Sequence, residues 1–357
     1  MSGNGTADTD SPPLPRGCPT RLSEHYDAAL LDLDGVIYLG GTPIHGAADA
    51  LADAAKRGMR LAFVTNNASR TPNAIAAQLS GMGIPATATD IVTSAQAAAH
   101  LVADRFPAGS RVLVAGGMGL RLAVRERGLR PVSTAADRPV AVVQGYSPDI
   151  SYGLLAEAAL AIRAGAWYVA SNVDRTLPTT RGPQPGNGAL VQVLVTATGQ
   201  QPVVAGKPEP PLHAESVQRV SAKRPLVVGD RLDTDIEGAV RGGTDSLLVL
   251  TGVTQPADVL LAQPRRRPTY LAADLTGLNV SHPEVSRTGA GFECRGWTAA
   301  IAAGGGKWLE VSGSGDALDG LRALCAAAWS ADGDQAFRAP EARQAADAAV
   351  RKIGLAG

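Results

Sequence analysis

The segment Leu30-Leu31-Asp32-Leu33-Asp34-Gly35-Val36-Ile37 sets two carboxylates one residue apart at the end of a short aliphatic run. Asp is a poor strand former and is seldom fully buried without a partner, so a buried strand ending this way needs a reason. Side chains alternate along a strand, so Asp32 and Asp34 project to one side wherever the backbone stays extended. Like charges at that spacing repel unless a cation neutralises them, which points to a divalent metal. The alternative is a polar strand end closed by a Gly turn.

Continuous aliphatic runs recur along the chain. Ala28–Leu33 and Leu61–Thr65 read as strands, with a helix over Ala47–Arg57 between them and another over Pro72–Ser80 that Thr71 is placed to cap. Such strands separated by helices indicate a parallel sheet covered on both faces. A second α/β series follows, with strands at Val112–Ala115, Val140–Gln144 and Trp167–Ala170 and helices at Leu154–Arg163 and Ala189–Thr198. Within it the turn-rich loop Ser171–Gly188 has a length more often functional than idle. The first style then resumes with strands Leu226–Val228 and Ser246–Leu250 and helices Thr234–Val240 and Ala257–Ala262.

The chain therefore reads as α/β. A Rossmann-like parallel-sheet core spans 25–83 and 203–282, interrupted by an inserted α/β domain at 84–202, with a small C-terminal α+β extension at 285–357. In the extension, Phe292–Ala303 and Lys307–Ser312 are expected to form a hairpin across Gly304-Gly305-Gly306, a run that reads as a flexible turn, with a phosphate cradle as the alternative. Leu318–Trp329 and Ala342–Ile353 carry helical periodicity.

Composition removes several function classes. The formal net charge is zero, so no global field draws nucleic acid or an anionic membrane, and Arg265-Arg266-Arg267 reads as a solvated surface patch. No window approaches the ~18 apolar residues of a membrane span. Cys18, Cys294 and Cys325 offer neither a disulfide framework nor a CxxC metal pair, as expected in a reducing cytosol. Residues 1–24 read as a disordered leader without the apolar stretch of a signal peptide. Gly116-Gly117-Met118-Gly119 lacks dinucleotide-binding spacing and reads as a helix-start turn. These features indicate a soluble, cytoplasmic protein.

Three further segments fall where a parallel sheet brings strand ends to one edge, the edge at which such sheets bind ligands. Phe63-Val64-Thr65-Asn66-Asn67 ends a strand in a hydroxyl and two amides suited to phosphate oxygens. Gly206-Lys207-Pro208-Glu209-Pro210 puts a lysine, rare in this arginine-rich chain, on a turn before a helix. Val228-Gly229-Asp230-Arg231-Leu232-Asp233-Thr234-Asp235 ends another strand in carboxylates. Each has an ordinary reading alone, as a cap, a surface turn or a loop. Four in this order, each at a strand end, do not.

With these residues the sequence resembles the haloacid dehalogenase superfamily, and within it the phosphatases with a large α/β cap, such as 4-nitrophenyl-, phosphoglycolate and glycerol 3-phosphate phosphatases. The resemblance covers roughly residues 25–280 through DLDGVIY, TNNASR, NVDRTLPTTRGPQPGNGAL, GKPEP and GDRLDTDI. It implies Asp32 as a nucleophile forming an aspartyl-phosphate and Asp34 as acid, then base. It implies Mg²⁺ on the Asp32 carboxylate, the Asp34 carbonyl and Asp230. It further implies Thr65, the Asn66 amide and Lys207 on the phosphate, with Asp235 orienting Lys207 or metal-bound water. Asp233 is left as a structural residue at the helix start.

A dehalogenase has no leaving alkoxide to protonate, so a second aspartate favours phosphoryl chemistry. The cap is expected to read the leaving group through Asn172, Asp174, Arg175 and Arg181, with Gly186-Asn187-Gly188 offering helix amides to its oxygens. The loop has no aromatic residue, which speaks against stacking a nucleobase. A small polyol or hydroxy-acid phosphate fits better, glycerol 3-phosphate before 2-phosphoglycolate, with broad sugar or nucleotide phosphatase activity as the alternative. The extension resembles half of an acetyltransferase fold. A structural or dimerising role, hence a homodimer, is expected of it ahead of regulation or acyl-CoA binding.

Overall fold

The structure is a computed structural model that describes residues 15–177, 181–289, 291–301, 309–330 and 342–355. Six parallel strands form the core sheet, in the order Tyr270–Ala272, Asp245–Val249, Pro225–Gly229, Ala28–Leu31, Arg60–Thr65, Ile91–Thr93. Alternation along the central strand sends Ala29 and Leu31 into one apolar layer, with Phe63, Val228 and Leu247, and Leu30 into the opposite layer, with Val64 and Val227. The chain leaves the central strand toward one side and returns on the other, so strand order reverses there. That reversal opens a crevice at the carboxyl ends of the strands.

Helices Ala47–Lys56 and Pro72–Gly81 form as the sequence predicts, and the Thr71 hydroxyl accepts from Ala74 N at 3.3 Å. The inserted domain carries a five-stranded parallel sheet in the order Val203–Val204, Trp167–Ala170, Ala141–Gln144, Arg111–Ala115, Arg130–Val132. Its limits differ from the expected 84–202. Ile91 and Val92, both fully buried, extend the core sheet, so the chain crosses over through the helix Ser94–Arg105. At the other end Val203 and Val204 still pair with Val169 and Ala170. The Gly116–Gly119 segment is a helix start, with Gly117 capping Met118–Glu126.

Residues 15–24, expected within a disordered leader, are docked. Cys18 exchanges backbone hydrogen bonds with His282 at 2.8 Å each way, and Leu22 is fully buried. Residues 1–14 lie outside the described residues.

In the extension the expected long strand over 292–303 is broken. Arg295 and Gly296 take positive φ of 42° and 88°, making a tight turn between Gly291–Cys294 and Trp297–Ile301. Trp297–Ile301 pairs in turn with Leu309–Gly313, giving the expected hairpin. The Gly304–Gly306 run lies outside the described residues. The helix Ala317–Trp329 is buried on every side from Asp319 onward, because it is sandwiched between this small sheet and the core.

Arg267, expected in a solvated patch, is 4% exposed. Its guanidinium lies over the Trp329 ring at 5.4 Å and donates to the carbonyls of Ala262 and Trp329, so it clamps the extension to the core. No described helix is long and apolar enough to cross a membrane.

Candidate active site

Parallel register aligns the chemistry. Leu31 sits level with Phe63 on one side and Val228 on the other, so the residues that follow these three emerge at one edge. Asp32 keeps its N–H bonded to Val228 O at 2.9 Å as the chain turns away. Lys207 arrives from the turn before the helix Pro210–Arg219, and its ammonium donates to Asp32 Oδ1 at 2.5 Å, Asp235 Oδ1 at 2.7 Å and Val64 O at 3.2 Å. Three acceptors use all three of its donors.

Asp235 is seated by a single π-helical turn, Leu232–Ile236, where the sequence predicts ordinary helix. Such turns are frequent at functional sites. Its second oxygen accepts from Arg231 N at 3.2 Å. Asp233 pairs with the Arg231 guanidinium at 2.9 Å instead of facing Lys207.

Asp230 is fully buried at the end of Pro225–Gly229. One carboxylate oxygen accepts from Val253 N at 2.7 Å, while the other is buried with no partner. Gly35 and Gly252 back onto this carboxylate so closely that a Cβ on either would collide with it. Gly35 also has φ of +84°, so the turn after Asp34 needs glycine on two counts. The loop Thr251–Thr254 is a part of the site that sequence reasoning missed. Thr251 bonds Gly35 O at 2.5 Å, Val253 N holds Asp230, and Thr254 N bonds Asp230 O at 3.2 Å. Its signal is the small pair Thr251-Gly252 just past the strand predicted at Ser246–Leu250.

Carboxylate oxygens of Asp32, Asp230 and Asp235 lie within 4.8 Å of one another. Burial pushes the Asp32 carboxyl up against the pull of Lys207, and Asp235 and Asp230 add to the rise. Burial, then Asp235, likewise raises Asp230. Lys207 moves up, against burial, because Asp235 and Asp32 hold its proton. Two of the three clustered carboxylates thus bond one ammonium, and the third keeps a buried oxygen unsatisfied. That donor set fits a small hard dication.

Asp34 stands exposed at the mouth, its carboxyl raised by partial burial that Arg70 opposes. Tyr38 O accepts from Gly35 N at 2.8 Å and keeps the turn closed. Thr65 is nearly buried, its hydroxyl accepting from Asn67 N at 3.1 Å. The Asn67 side chain caps its own turn through Ser69 N and Arg70 N, so of the two amides in this segment it is the structural one.

The cap loop meets this edge at Asn66. Asn66 Nδ2 lies 3.2 Å from both Asp174 oxygens, and Asn66 O accepts from Asn172 Nδ2 at 2.7 Å. Asn172 is buried, and its own carbonyl accepts from Asn187 Nδ2 at 2.7 Å. Arg175 and Arg181 are exposed. The amides of Gly186 and Gly188, expected to meet substrate oxygens, are already bonded to Arg175 O and Asp174 O at 2.9 and 2.8 Å. The loop 171–188 is also less irregular than expected, with Thr176–Leu177 pairing antiparallel to Gln184–Pro185.

Comparison with known proteins agrees with this architecture. Residues 29–130 match a model of haloacid dehalogenase-like hydrolases, 204–278 a second HAD-hydrolase-like model, and 294–355 a model of GCN5-related N-acetyltransferase-like domains. The chain is 46% identical over 337 residues to D-glycerol 3-phosphate phosphatase of Mycobacterium tuberculosis, covering 92% of this chain and 93% of that protein. It is 39% identical to the 5'-nucleotidase YutF of Bacillus subtilis, covering 70% of this chain and 96% of that one. A crystal structure of glycerol phosphate phosphatase from M. tuberculosis in complex with magnesium superposes with a TM-score of 0.82 at 44% identity, covering 94% and 99% of the two chains. The p-nitrophenyl phosphatase of Archaeoglobus fulgidus gives 0.66 at 30% identity, covering 71% and 98%. With this identity over nearly its whole length, the chain belongs to the haloacid dehalogenase-like hydrolases.

Proposed function

We propose that the chain is a Mg²⁺-dependent phosphomonoester hydrolase acting on a small polyol phosphate, glycerol 3-phosphate first. The observation that carries the chemistry is the part-buried contact between Lys207 and Asp32 beside the partnerless Asp230 oxygen. The substrate choice is supported by the M. tuberculosis relative, which matches through the C-terminal extension as well as the core.

In this reading Asp32 attacks phosphorus, the ester P–O bond breaks, and Asp34 gives its proton to the departing alkoxide. Asp34 then takes a proton from the water that attacks the aspartyl-phosphate, releasing phosphate and freeing Asp32. Lys207, exchanging its 3.2 Å bond to Val64 O for a phosphate oxygen, joins the Thr65 hydroxyl and the Asn66 backbone amide in holding the remaining phosphate oxygens. Asp235 fixes the Lys207 ammonium. Mg²⁺, held by Asp32, Asp230 and the Asp34 carbonyl, supplies the charge neutralisation without which a carboxylate cannot approach a phosphate dianion. In the cap, Arg175 is offered to the leaving group, since Asn66 engages Asn172 and Asp174. Three cysteines without disulfide partners support a cytoplasmic setting.

A broader specificity for sugar or nucleotide phosphates is the second reading. It is favoured by relatives named 5'-nucleotidase (Bacillus subtilis) and acid sugar phosphatase (Staphylococcus saprophyticus), 39% and 37% identical. Phosphate release with Mg²⁺ from glycerol 3-phosphate, 2-phosphoglycolate, a hexose phosphate and a nucleoside monophosphate decides between the two. The highest kcat/KM is expected on glycerol 3-phosphate. A preference for the nucleotide would overturn the substrate choice, and release from none of the four would overturn the hydrolase reading.

A further inference from the structure

Asn66 does more than present a backbone amide. Its side chain forms a two-bond clasp on the backbone of Lys207, with Oδ1 accepting from Lys207 N at 2.8 Å and Nδ2 donating to Lys207 O at 3.1 Å. The same Nδ2 group faces both oxygens of Asp174 at 3.2 Å. Its carbonyl takes Ser94 Oγ at 2.6 Å and Asn172 Nδ2 at 2.7 Å. One residue thus joins the core strand, the lysine turn and the cap loop.

Gly206 shows how close the three segments stand. A Cβ there would lie 2.5 Å from Asn66 Oδ1 and 2.5 Å from Ser171 O. No other residue type fits between the cap loop and the clasp.

We propose that Asp174 is a positioning residue that sets Lys207 through Asn66 and does not contact the leaving group. A carboxylate on an amide N–H polarises that amide and strengthens its oxygen as an acceptor, here for Lys207 N. Holding both the N–H and the C=O of Lys207 fixes the root of its side chain. The ammonium then has no slack between Asp32 and Asp235. The cap loop thereby bears on the rate of phosphoryl transfer with any ester.

The inference rests on the hydrolase reading, and its test compares two esters with unlike leaving groups, glycerol 3-phosphate and 4-nitrophenyl phosphate. Asp174→Ala is expected to lower kcat about ten- to hundredfold on both by the same factor, with KM little changed. Asp174→Asn keeps an acceptor oxygen in the same place and is expected to recover most of that loss. Gly206→Ala, which forces the clasp apart from the other side, is expected to reproduce the Asp174→Ala pattern, with circular dichroism checking that each variant is folded. A loss confined to glycerol 3-phosphate with a raised KM would overturn the proposal in favour of a leaving-group contact. So would unchanged rates on both esters, or an Asp174→Asn variant no better than Asp174→Ala. Should Asp174→Ala fail to fold, the two-ester comparison on Asp174→Asn and Gly206→Ala decides alone. Failure of the wild-type chain to release phosphate from either ester strikes the hydrolase reading instead.

Discussion

Lys207 Nζ lies 2.5 Å from Asp32 Oδ1 across 175 residues of sequence, and 2.7 Å from Asp235 on its other side. An attacking carboxylate held in this way is directional: Lys207 ties one oxygen and so fixes how the group is presented to phosphorus. Asp32→Asn keeps the shape and removes the nucleophile. Phosphate release is expected to fall by roughly four orders of magnitude or more, with the melting temperature retained. Retained turnover in a folded variant would remove Asp32 from that role.

The partnerless Asp230 oxygen makes a prediction that needs no substrate. A ligand that binds only the folded state raises stability with its concentration. Mg²⁺ is therefore expected to raise the melting temperature of the wild-type chain, and a chelator to abolish the rise. In Asp230→Asn the buried oxygen set loses charge, and the Mg²⁺-dependent shift is expected to vanish while the metal-free protein stays folded. An undiminished shift in that variant would place the ion elsewhere.

Asp34, at the mouth and raised by partial burial, has two tasks that a choice of leaving group separates. Nitrophenolate leaves without a proton, whereas the following water attack still needs a base. Asp34→Asn with 4-nitrophenyl phosphate is therefore expected to release a burst of nitrophenolate close to one equivalent per enzyme and then stall. With glycerol 3-phosphate it is expected to show neither burst nor turnover. In the wild type the leaving-group step needs the protonated acid, so its rate falls as pH rises through the raised Asp34 value. Rapid-mixing absorbance measurements check both.

The strand ends were readable because burial and chemistry conflict there: Asp32, Asp230 and Lys207 sit where aliphatic runs stop, and register alone then carries them to one edge. What escaped was set by approach between segments distant in sequence. The small pair Thr251-Gly252 marks a turn but not that Gly252 is the wall behind Asp230, and nothing local marks Gly206 as the gap that admits Asn66. Asn172 and Asp174 look like turn residues by type, and only the fold shows that Asn66 holds them both. Arg267 looked like part of a solvated basic run because its partner, Trp329, lies 62 residues away.

Glu215 ties the inserted domain to the lysine helix. This buried carboxylate accepts from His100 at 2.5 Å, Arg127 at 2.9 Å and Arg219 at 2.7 Å, groups from three separate helices or their caps. Burial works to raise its pKa, but Arg219, His100 and Arg127 together hold it below the usual carboxylate value. A depressed folded value means that the stabilisation is complete above the unfolded value of about 4.5 and is lost as pH falls through the folded one. Glu215→Gln is expected to cost about 2 kcal/mol at pH 7. That difference should shrink below pH 4.5, as denaturant unfolding of the two proteins at both pH values would show. A pH-independent difference would mean that packing, not charge, is what Glu215 supplies.

The extension is best tested by what it covers. Trp329 is fully buried, donates its indole N–H to Val259 O at 3.0 Å and lies under the Arg267 guanidinium. Around it, core residues Leu248, Leu271, Val259 and Leu260 share one apolar cluster with Phe292, Leu321 and Leu324 of the extension. Removing residues 285–357 uncovers that face, and contiguous apolar surface of this kind drives association. A chain ending at 284 is therefore expected to aggregate or to elute as higher oligomers in size exclusion, losing activity on every ester alike. Trp329→Ala in the full chain is expected to cost about 3–5 kcal/mol with KM unchanged. A truncated chain that kept the oligomeric state and the melting temperature of the full chain would show that the extension does not buttress the core.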